Sequence, residues 1–334
     1  MLIRFGTVRV LSAKAALFLG ITYVMSVFHF FVPTCLAQEK PHKASQVEIP
    51  KTWTVTWYQW QGPNQVLLQY SEKGGHQSTV QFNTKTASVT PVALSDEIKE
   101  ALTWYGSDSW QLSPDNAWLT GWPGDDRHIA IEINGSKRIQ TPMLGAWVKW
   151  MPDSHGWVEW NWKDHSTFIK LTRLSDDRSH VEGMQREYTL EDDWSLAGFV
   201  APDKVLLYKS SPETRTWVAR IVALKSKAET VMEWKLQVQN VYDIYGAKIS
   251  PDLKHICWLT VTSKATLVPG IWLSDTDGKN QRDLWITGLD NIAKMTYLTT
   301  DKSWLSPGDI QWVSGSDKIC FRQQGRLYTV AISK

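Results

Sequence analysis

The sequence predicts an all-β fold, a six-bladed propeller of four-stranded antiparallel blades with one short helix in the first inter-blade connection. Three observations carry this. A turn phrase built on Pro-Asp or Pro-Asn recurs along the chain: "YQWQGPNQVLLQY" around Pro63, "QLSPDNAWLTGW" around Pro114, "KWMPDSHGWVEW" around Pro152, "GFVAPDKVLLYK" around Pro202, "ISPDLKHICWL" around Pro251 and, with Gly315 in the proline position, "QWVSGSDKICFRQ". The intervals of 51, 38, 50, 49 and 64 residues average near fifty, a blade-sized period rather than a solenoid-sized one. The chain also holds 20 tryptophans among 334 residues, a residue that favours strands and fills large flat interfaces between layers.

The first 37 residues stand apart from this pattern. Arg4, Arg9 and Lys14 precede the apolar run "AALFLGITYVMSVFHFF", Pro33 ends it, and Cys35-Leu36-Ala37 offers a small-x-small cleavage site before Gln38. This is the layout of a secretory signal peptide, so residues 38–334 are expected to form one propeller domain, periplasmic or secreted. An uncleaved anchor is the alternative, since Ala15 to Val32 is long enough to span a bilayer, and only then would a membrane be a partner. The segment carries three bases and no acid, so its removal leaves 36 − 3 = 33 bases against 34 acids. With no basic stripe, nucleic acid is excluded as an expected partner.

Within each repeat the order is the same. An apolar or aromatic residue precedes the turn: Trp60, Trp110, Trp150, Phe199, Ile249 and Trp312. Proline presets φ at the first turn position, and the Asp or Asn side chain closes the turn. A second strand follows, such as "QVLLQY", "GWVEWNW" or "KICFR", then a polar loop of variable length, then a third strand such as "HIAIEI", "TWVARIVAL" or "RLYTVAI". Hairpin signals lead to the last strand, clearest at "NGS" from Asn134 and "DGK" from Asp277. Blades are thus expected to start near residues 52, 106, 146, 194, 244 and 308. The stretch "LSDEIKEALTWY" at residues 94–105 has Ser95 as a candidate N-cap, acids in its first turn and Ile98, Leu102 and Tyr105 on one face, hence the short helix.

The last repeat holds three strands before the sequence stops. A propeller ring left open there would expose unpaired backbone groups, so "ASQVEI" at residues 44–49 is expected to add as the outermost strand beside residues 327–332. Cys257 in "HICWL" and Cys320 in "KICFR" occupy matching second strands of consecutive blades. Packed sheets lie about 10 Å apart, beyond what a disulfide tolerates, so both are expected to be free, buried thiols.

The stretch "SPDLKHICWL…GIWLSDTDGKNQRDL", Ser250 to Leu284, resembles the repeat unit of the TolB-like, PD40 or WD40-like β-propeller family: an aromatic, Ser-Pro-Asp-Gly-Lys, an Ile-Ala-Phe-like strand and a later Trp-x-x-Asp-x-Asp-Gly. The likeness is weaker at Ser113, Met151 and Ala201, and weakest at Gly62 and Ser314. It implies the fold. About chemistry it says little, because such propellers include binding platforms, protease accessory domains and a few enzymes. Neither the α/β domain that precedes the propeller of TolB nor a hydrolase domain is expected.

No Gly-x-Ser-x-Gly elbow exists, because no two glycines stand four apart. "DTDG" lacks the later ligands of a calcium loop, and the histidines show no metal spacing, so no metal and no cofactor is expected. The variable loops between second and third strands share one face with the inter-blade connections. Variable loops on a rigid frame are the usual place for function, which makes Trp122, Asp125, Asp126, Arg127, Trp162, Asp164, His165 and Arg215 the candidate ligand-binding residues. The functional expectation is a non-catalytic, monomeric binding or scaffold module for an envelope protein or glycan. The alternative is a small saccharide- or lactone-active hydrolase or lyase with its site at the channel mouth.

Overall fold

The computed structural model describes residues 42–332 apart from 74, 95–97, 99–109, 124–125, 134–136, 146, 184, 212–213, 215, 239–240, 262–268, 285, 288–309 and 316. Six four-stranded antiparallel sheets form the blades of a propeller. From the channel outward, blade 1 comprises Thr54–Gly62, Gln65–Ser71, Gln77–Asn83 and Val89–Pro91, and blade 2 Trp110–Leu112, Trp118–Gly121, Arg127–Glu132 and Arg138–Pro142. Blade 3 comprises Trp147–Trp150, Gly156–Lys163, Ser166–Arg173 and Arg186–Glu191, and blade 4 Ser195–Ala201, Lys204–Ser211, Thr216–Leu224 and Ala228–Lys235. Blade 5 comprises Asp243–Ile249, His255–Val261, Pro269–Asp275 and Arg282–Asp283, and blade 6 Ile310–Trp312, Lys318–Gln323, Arg326–Ala331 and, from the other end of the chain, Ser45–Gln46. The inner strands begin within four residues of the expected starts.

The turn phrase folds as its chemistry requires. In blade 2 the Ser113 hydroxyl donates to Asp115 Oδ1 (2.5 Å) and accepts from Trp118 N (2.9 Å), while Asp115 Oδ1 also accepts from Ala117 N (3.2 Å). Blade 5 repeats this bond for bond: Ser250 Oγ to Asp252 (2.5 Å), His255 N to Ser250 Oγ (2.9 Å), Lys254 N to Asp252 (3.2 Å). The residue after the aspartate turns left-handed in blades 2, 3 and 5, with φ of 63° at Asn116, 61° at Ser154 and 60° at Leu253. Glycine would adopt that conformation without steric cost.

The core is divided among the seams between blades. Trp57 and Leu67 of blade 1 meet Trp110 and Leu119 of blade 2, and Trp118 and Ile139 of blade 2 meet Val148 and Trp157 of blade 3. The same holds for blades 3 and 4, 4 and 5, 5 and 6, and 6 and 1. Twelve of the 20 tryptophans are buried in these seams, Trp57, Trp110, Trp118, Trp157 and Trp258 almost wholly, so most of the tryptophan wealth read from composition is inter-blade filling. Trp110, expected beside the first strand's turn, is one of these; Leu112, two residues later, takes the turn-side place.

The ring closes as expected. Ser45 and Gln46 pair antiparallel with Thr329 and Tyr328, Val47 N donates to Leu327 O (2.8 Å), and Val47 and Ile49 are buried with Val313 and Leu327. One turn earlier, His42–Lys43 pairs in parallel with Ile286–Thr287. Cys257 and Cys320 are free and buried, and burial pushes both thiols up to about 12. In the "DGK" turn Gly278 has φ 80° and lies against the Trp234 ring of blade 4, where a Cβ would come within 2.6 Å. The expected signal segment, the "NGS" turn and the helix at 94–105 lie outside the described residues, save that Leu94 and Ile98 are buried against Trp57 and Trp110.

Candidate functional site

The inner strands run toward the Pro-Asp turns, and at that end of the channel lies an open cavity of about 490 Å³, within the range of small-ligand sites. All six blades line it. Its wall is the last two residues of each inner strand or their neighbours: Gln59-Trp60, Gln111-Leu112, Lys149-Trp150, Gly198-Phe199, Lys248-Ile249 and Gln311-Trp312. The second member of each pair is apolar and turned into the seams; the first is polar in five blades and glycine in the sixth. No Asp, Glu, His or Cys is among the lining residues, while two lysines are. Among the described residues only short turns border this channel end, and the cavity opens there.

Hydrogen bonds at this level tie one blade to the next in a repeated way. The Trp150 indole donates to Gln111 O (3.0 Å) and the Trp312 indole to Lys248 O (2.9 Å), each reaching the preceding blade. Gln311 Oε1 accepts from Trp60 N (3.3 Å) while its Nε2 donates to Tyr58 O (2.6 Å). Gln59 Oε1 likewise accepts from Leu112 N. Gln59 is 9% exposed, and its Nε2 has no partner among the described residues. One oxygen of this buried amide therefore holds a seam and its two N–H donors are left for the cavity.

The acids of the surrounding turns are already engaged. Burial favours the neutral form of Asp115, but bonds from Ser113, Arg178 and Ala117 outweigh it and hold the carboxyl below its ordinary value. Asp252 is held down in the same sense by Ser250 and Lys254. These carboxylates brace their turns.

Of the eight residues expected from the variable loops, the six that are described do not line this cavity. Asp125 and Arg215 lie outside the described residues. Asp126 O accepts from Met143 N (3.0 Å) and Arg127 donates to Gln140 (3.1 Å), both holding blade 2's outer hairpin. Trp162, Asp164 and His165 share the hairpin of blade 3 between second and third strands, at the channel end opposite the cavity. His165 Nδ1 lies 3.6 Å from Asp193, both exposed. Trp162, 40% exposed, sits 5.3 Å from Trp147, which is 37% exposed and stacks in turn on Trp160 at 5.6 Å. Trp147 was not among the expected residues, although its place at the head of an inner strand puts it beside that hairpin. The polar ring was also missed. Its signal is a Gln or Lys directly before the turn-side apolar residue, repeated as "QW", "QL", "KW", "KI" and "QW".

Between blades 2 and 3 lies a fully buried ion cluster. Glu159 accepts from Trp157 Nε1 (3.1 Å) and Leu144 N (2.8 Å), with Lys170 Nζ at 3.2 Å and His128 Nδ1 at 3.5 Å. Lys170 also donates to Pro142 O. Burial opposes the charged carboxylate, yet the His128 and Lys170 contacts prevail and hold Glu159 below its ordinary value. Among the described residues no group of three or more His, Cys, Asp or Glu side chains could hold a metal ion.

The sheets define the class: a six-bladed β-propeller. No protein-family model matches the chain, and no curated protein matches it. Among solved structures it is similar to a putative TolB from Agrobacterium tumefaciens (15% identity, 69% of this chain and 80% of that one, TM-score 0.46). It is also similar to an oligogalacturonate lyase in complex with manganese (9% identity, 87% and 93%, TM-score 0.48) and to TolB from Acinetobacter baumannii (12%, 67% and 52%, TM-score 0.44).

Proposed function

We propose that this protein is an exported, non-catalytic binding module for an envelope protein or glycan, and that its ligand seat is the cavity at the Pro-Asp end of the channel. One observation carries the reading: all six blades converge on that cavity, and among the described residues its wall is made of amides, lysines and indoles with no carboxylate, imidazole or thiol. A glycosidase or lyase of the carboxylate-pair kind needs two acids flanking the bond to be broken, which favours binding over catalysis at this end. The test is a binding screen of the purified protein against envelope extracts and a glycan array. A hit whose affinity is unchanged by Ser314→Trp, a substitution that fills the cavity from blade 6, sinks the assignment of the seat. Export is tested by joining residues 1–37 to a reporter active only outside the cytoplasm and by sequencing the mature N-terminus, expected at Gln38.

A second site is supported by the exposed ring pair. Trp147 and Trp162 present adjacent indole faces beside Asp164 and His165, the arrangement that stacks on a sugar ring while polar groups take its hydroxyls. Alanine at Trp162, Asp164 and His165 should then reduce glycan binding; unchanged binding in all three, with the fold intact, excludes this face.

A further inference from the structure

We infer that the exposed indole pair of blade 3 takes an amino sugar whose nitrogen is a free ammonium, in preference to a neutral sugar. This rests on the reading of that face as a glycan site and adds the charge of the ring it holds. The aromatic surface is built and backed. Trp147 of the inner strand and Trp162 of the second strand are 37% and 40% exposed, with ring centroids 5.3 Å apart. Trp160, 6% exposed, stacks on Trp147 at 5.6 Å and supports it from the seam with blade 4. The Trp162 indole N–H donates to Trp194 O (2.6 Å), which fixes that ring and brings the connection through Asp192 and Asp193 to its edge. Two large apolar faces left open together mark a surface that meets a partner.

Charge around these rings has one sign. Asp164 and His165 form the left-handed turn, φ 50° and 59°, that follows the strand of Trp162. Asp193 lies 3.6 Å from His165 Nδ1, with 53% of its side chain exposed. Neither carboxylate pairs with a lysine or arginine among the described residues. The cations nearby are engaged or turned away. Lys209 is paired with Asp192 at 3.0 Å, and Arg220 with Glu233 and the Trp194 ring. Lys163, next to Trp162 in the strand, points by alternation to the opposite face of the sheet. A pyranose stacks on an indole through its C–H face, and a cationic nitrogen on that ring strengthens the attraction to the aromatic quadrupole. Asp164 and Asp193 then accept charge-assisted hydrogen bonds from the ammonium, which an N-acetyl group or a hydroxyl cannot offer.

The experiment titrates the full protein with β-1,4-linked oligomers of glucosamine, N-acetylglucosamine and glucose, at a pH where the amine is charged, followed by calorimetry and tryptophan fluorescence. The glucosamine oligomer should bind about tenfold tighter than the other two, and the gap should shrink as salt is raised. Asp164→Asn and Asp193→Asn remove charge and keep shape, and asparagine tolerates the left-handed turn at 164. Each should weaken glucosamine binding about threefold to fivefold, the size of one exposed charge pair. Trp162→Ala should lower affinity for every oligomer that binds. Neutral oligomers that bind as well as the glucosamine form, and are lost on Trp162→Ala, overturn the inference and keep the glycan site. A glucosamine preference that survives both asparagine variants overturns it too, because the charge is then met elsewhere. Binding of none of the three, or binding that ignores Trp162→Ala, removes the inference and the glycan reading of this face together.

Discussion

Truncating the N-terminal closing strand at its two buried side chains should lower stability by about 4 kcal/mol. Val47 and Ile49 are 8% and 7% exposed and pack on Val313, Cys320 and Leu327 of blade 6 and on Val55 and Tyr58 of blade 1. Burying such a side chain contributes about 1.5–3 kcal/mol, and cutting one to alanine adds a cavity term where the surroundings relax only in part. Val47→Ala/Ile49→Ala therefore removes about 1.5 plus about 2.5 kcal/mol while leaving the backbone pairing of Ser45 and Gln46 in place. Deleting residues 42–49 goes further. It also removes the Val47 N–H bond to Leu327 O and bares the Leu327 edge, each hydrogen bond being worth about 1 kcal/mol net.

The assay is equilibrium urea unfolding read by tryptophan fluorescence, with refolding checked so that the free energy is defined. A melting experiment should show a fall of about 8 °C or more, given about 2 °C per kcal/mol for a domain of this size. Ser45→Ala, exposed on the same strand, is the control and should stay within about 0.5 kcal/mol. A loss below about 1 kcal/mol for the double alanine variant would refute the closure argument, because it would mean that those side chains leave water without stabilising the ring.

Three more expectations follow from particular contacts. Glu159→Gln should cost about 3–5 kcal/mol, because it leaves Lys170 buried without its partner. Because the folded carboxyl is held below its ordinary 4.5, its contribution is present above that value and disappears as pH falls through the lower folded value; the variant should lose that part of the acid dependence in urea titrations at pH 3 to 6. Cys257 and Cys320, with thiols raised to about 12, should resist iodoacetamide in the native protein and react only in denaturant, as mass spectrometry would show. Leu253→Gly should raise stability by up to about 1 kcal/mol in the same urea assay, since a branched side chain at φ 60° is strained and glycine is not; a loss would mean that the Leu253 side chain contributes more than its backbone costs.

The architecture was legible because the propeller writes itself in local chemistry. Each Pro-Asp phrase makes its own turn through Ser113–Asp115 or Ser250–Asp252, and each apolar strand after it alternates in register with its neighbours. Even the closing strand could be placed, since a missing fourth strand in one blade demands a donor. The site was hidden for the opposite reason. Its wall takes one polar residue from each of five blades, spaced 38 to 99 residues apart in the sequence, and a Gln or Lys inside a strand reads as ordinary alternation. Only the ring geometry makes Gln59, Gln111, Lys149, Lys248 and Gln311 neighbours. The aromatic pair of blade 3 was half legible: Trp162 stood in a variable loop, whereas Trp147 belonged by pattern to a strand.

The regularity that makes the Pro-Asp turns look like scaffold is also what opens the cavity they surround. A turn locked by its own serine and aspartate cannot lengthen into a loop that would fold over the channel, so this end stays open. On the proposed reading of the cavity as the ligand seat, specificity is left to the residue just before each turn. That residue has two jobs that differ among blades. In blades 1 and 6 the glutamine oxygen also holds the seam, so changing Gln59 or Gln311 alters ligand and closure together. In blades 2 and 5 the carbonyl of Gln111 or Lys248 receives the next blade's indole, and a carbonyl bond survives any side-chain exchange. Positions 111 and 248 can therefore change charge while these seam bonds persist.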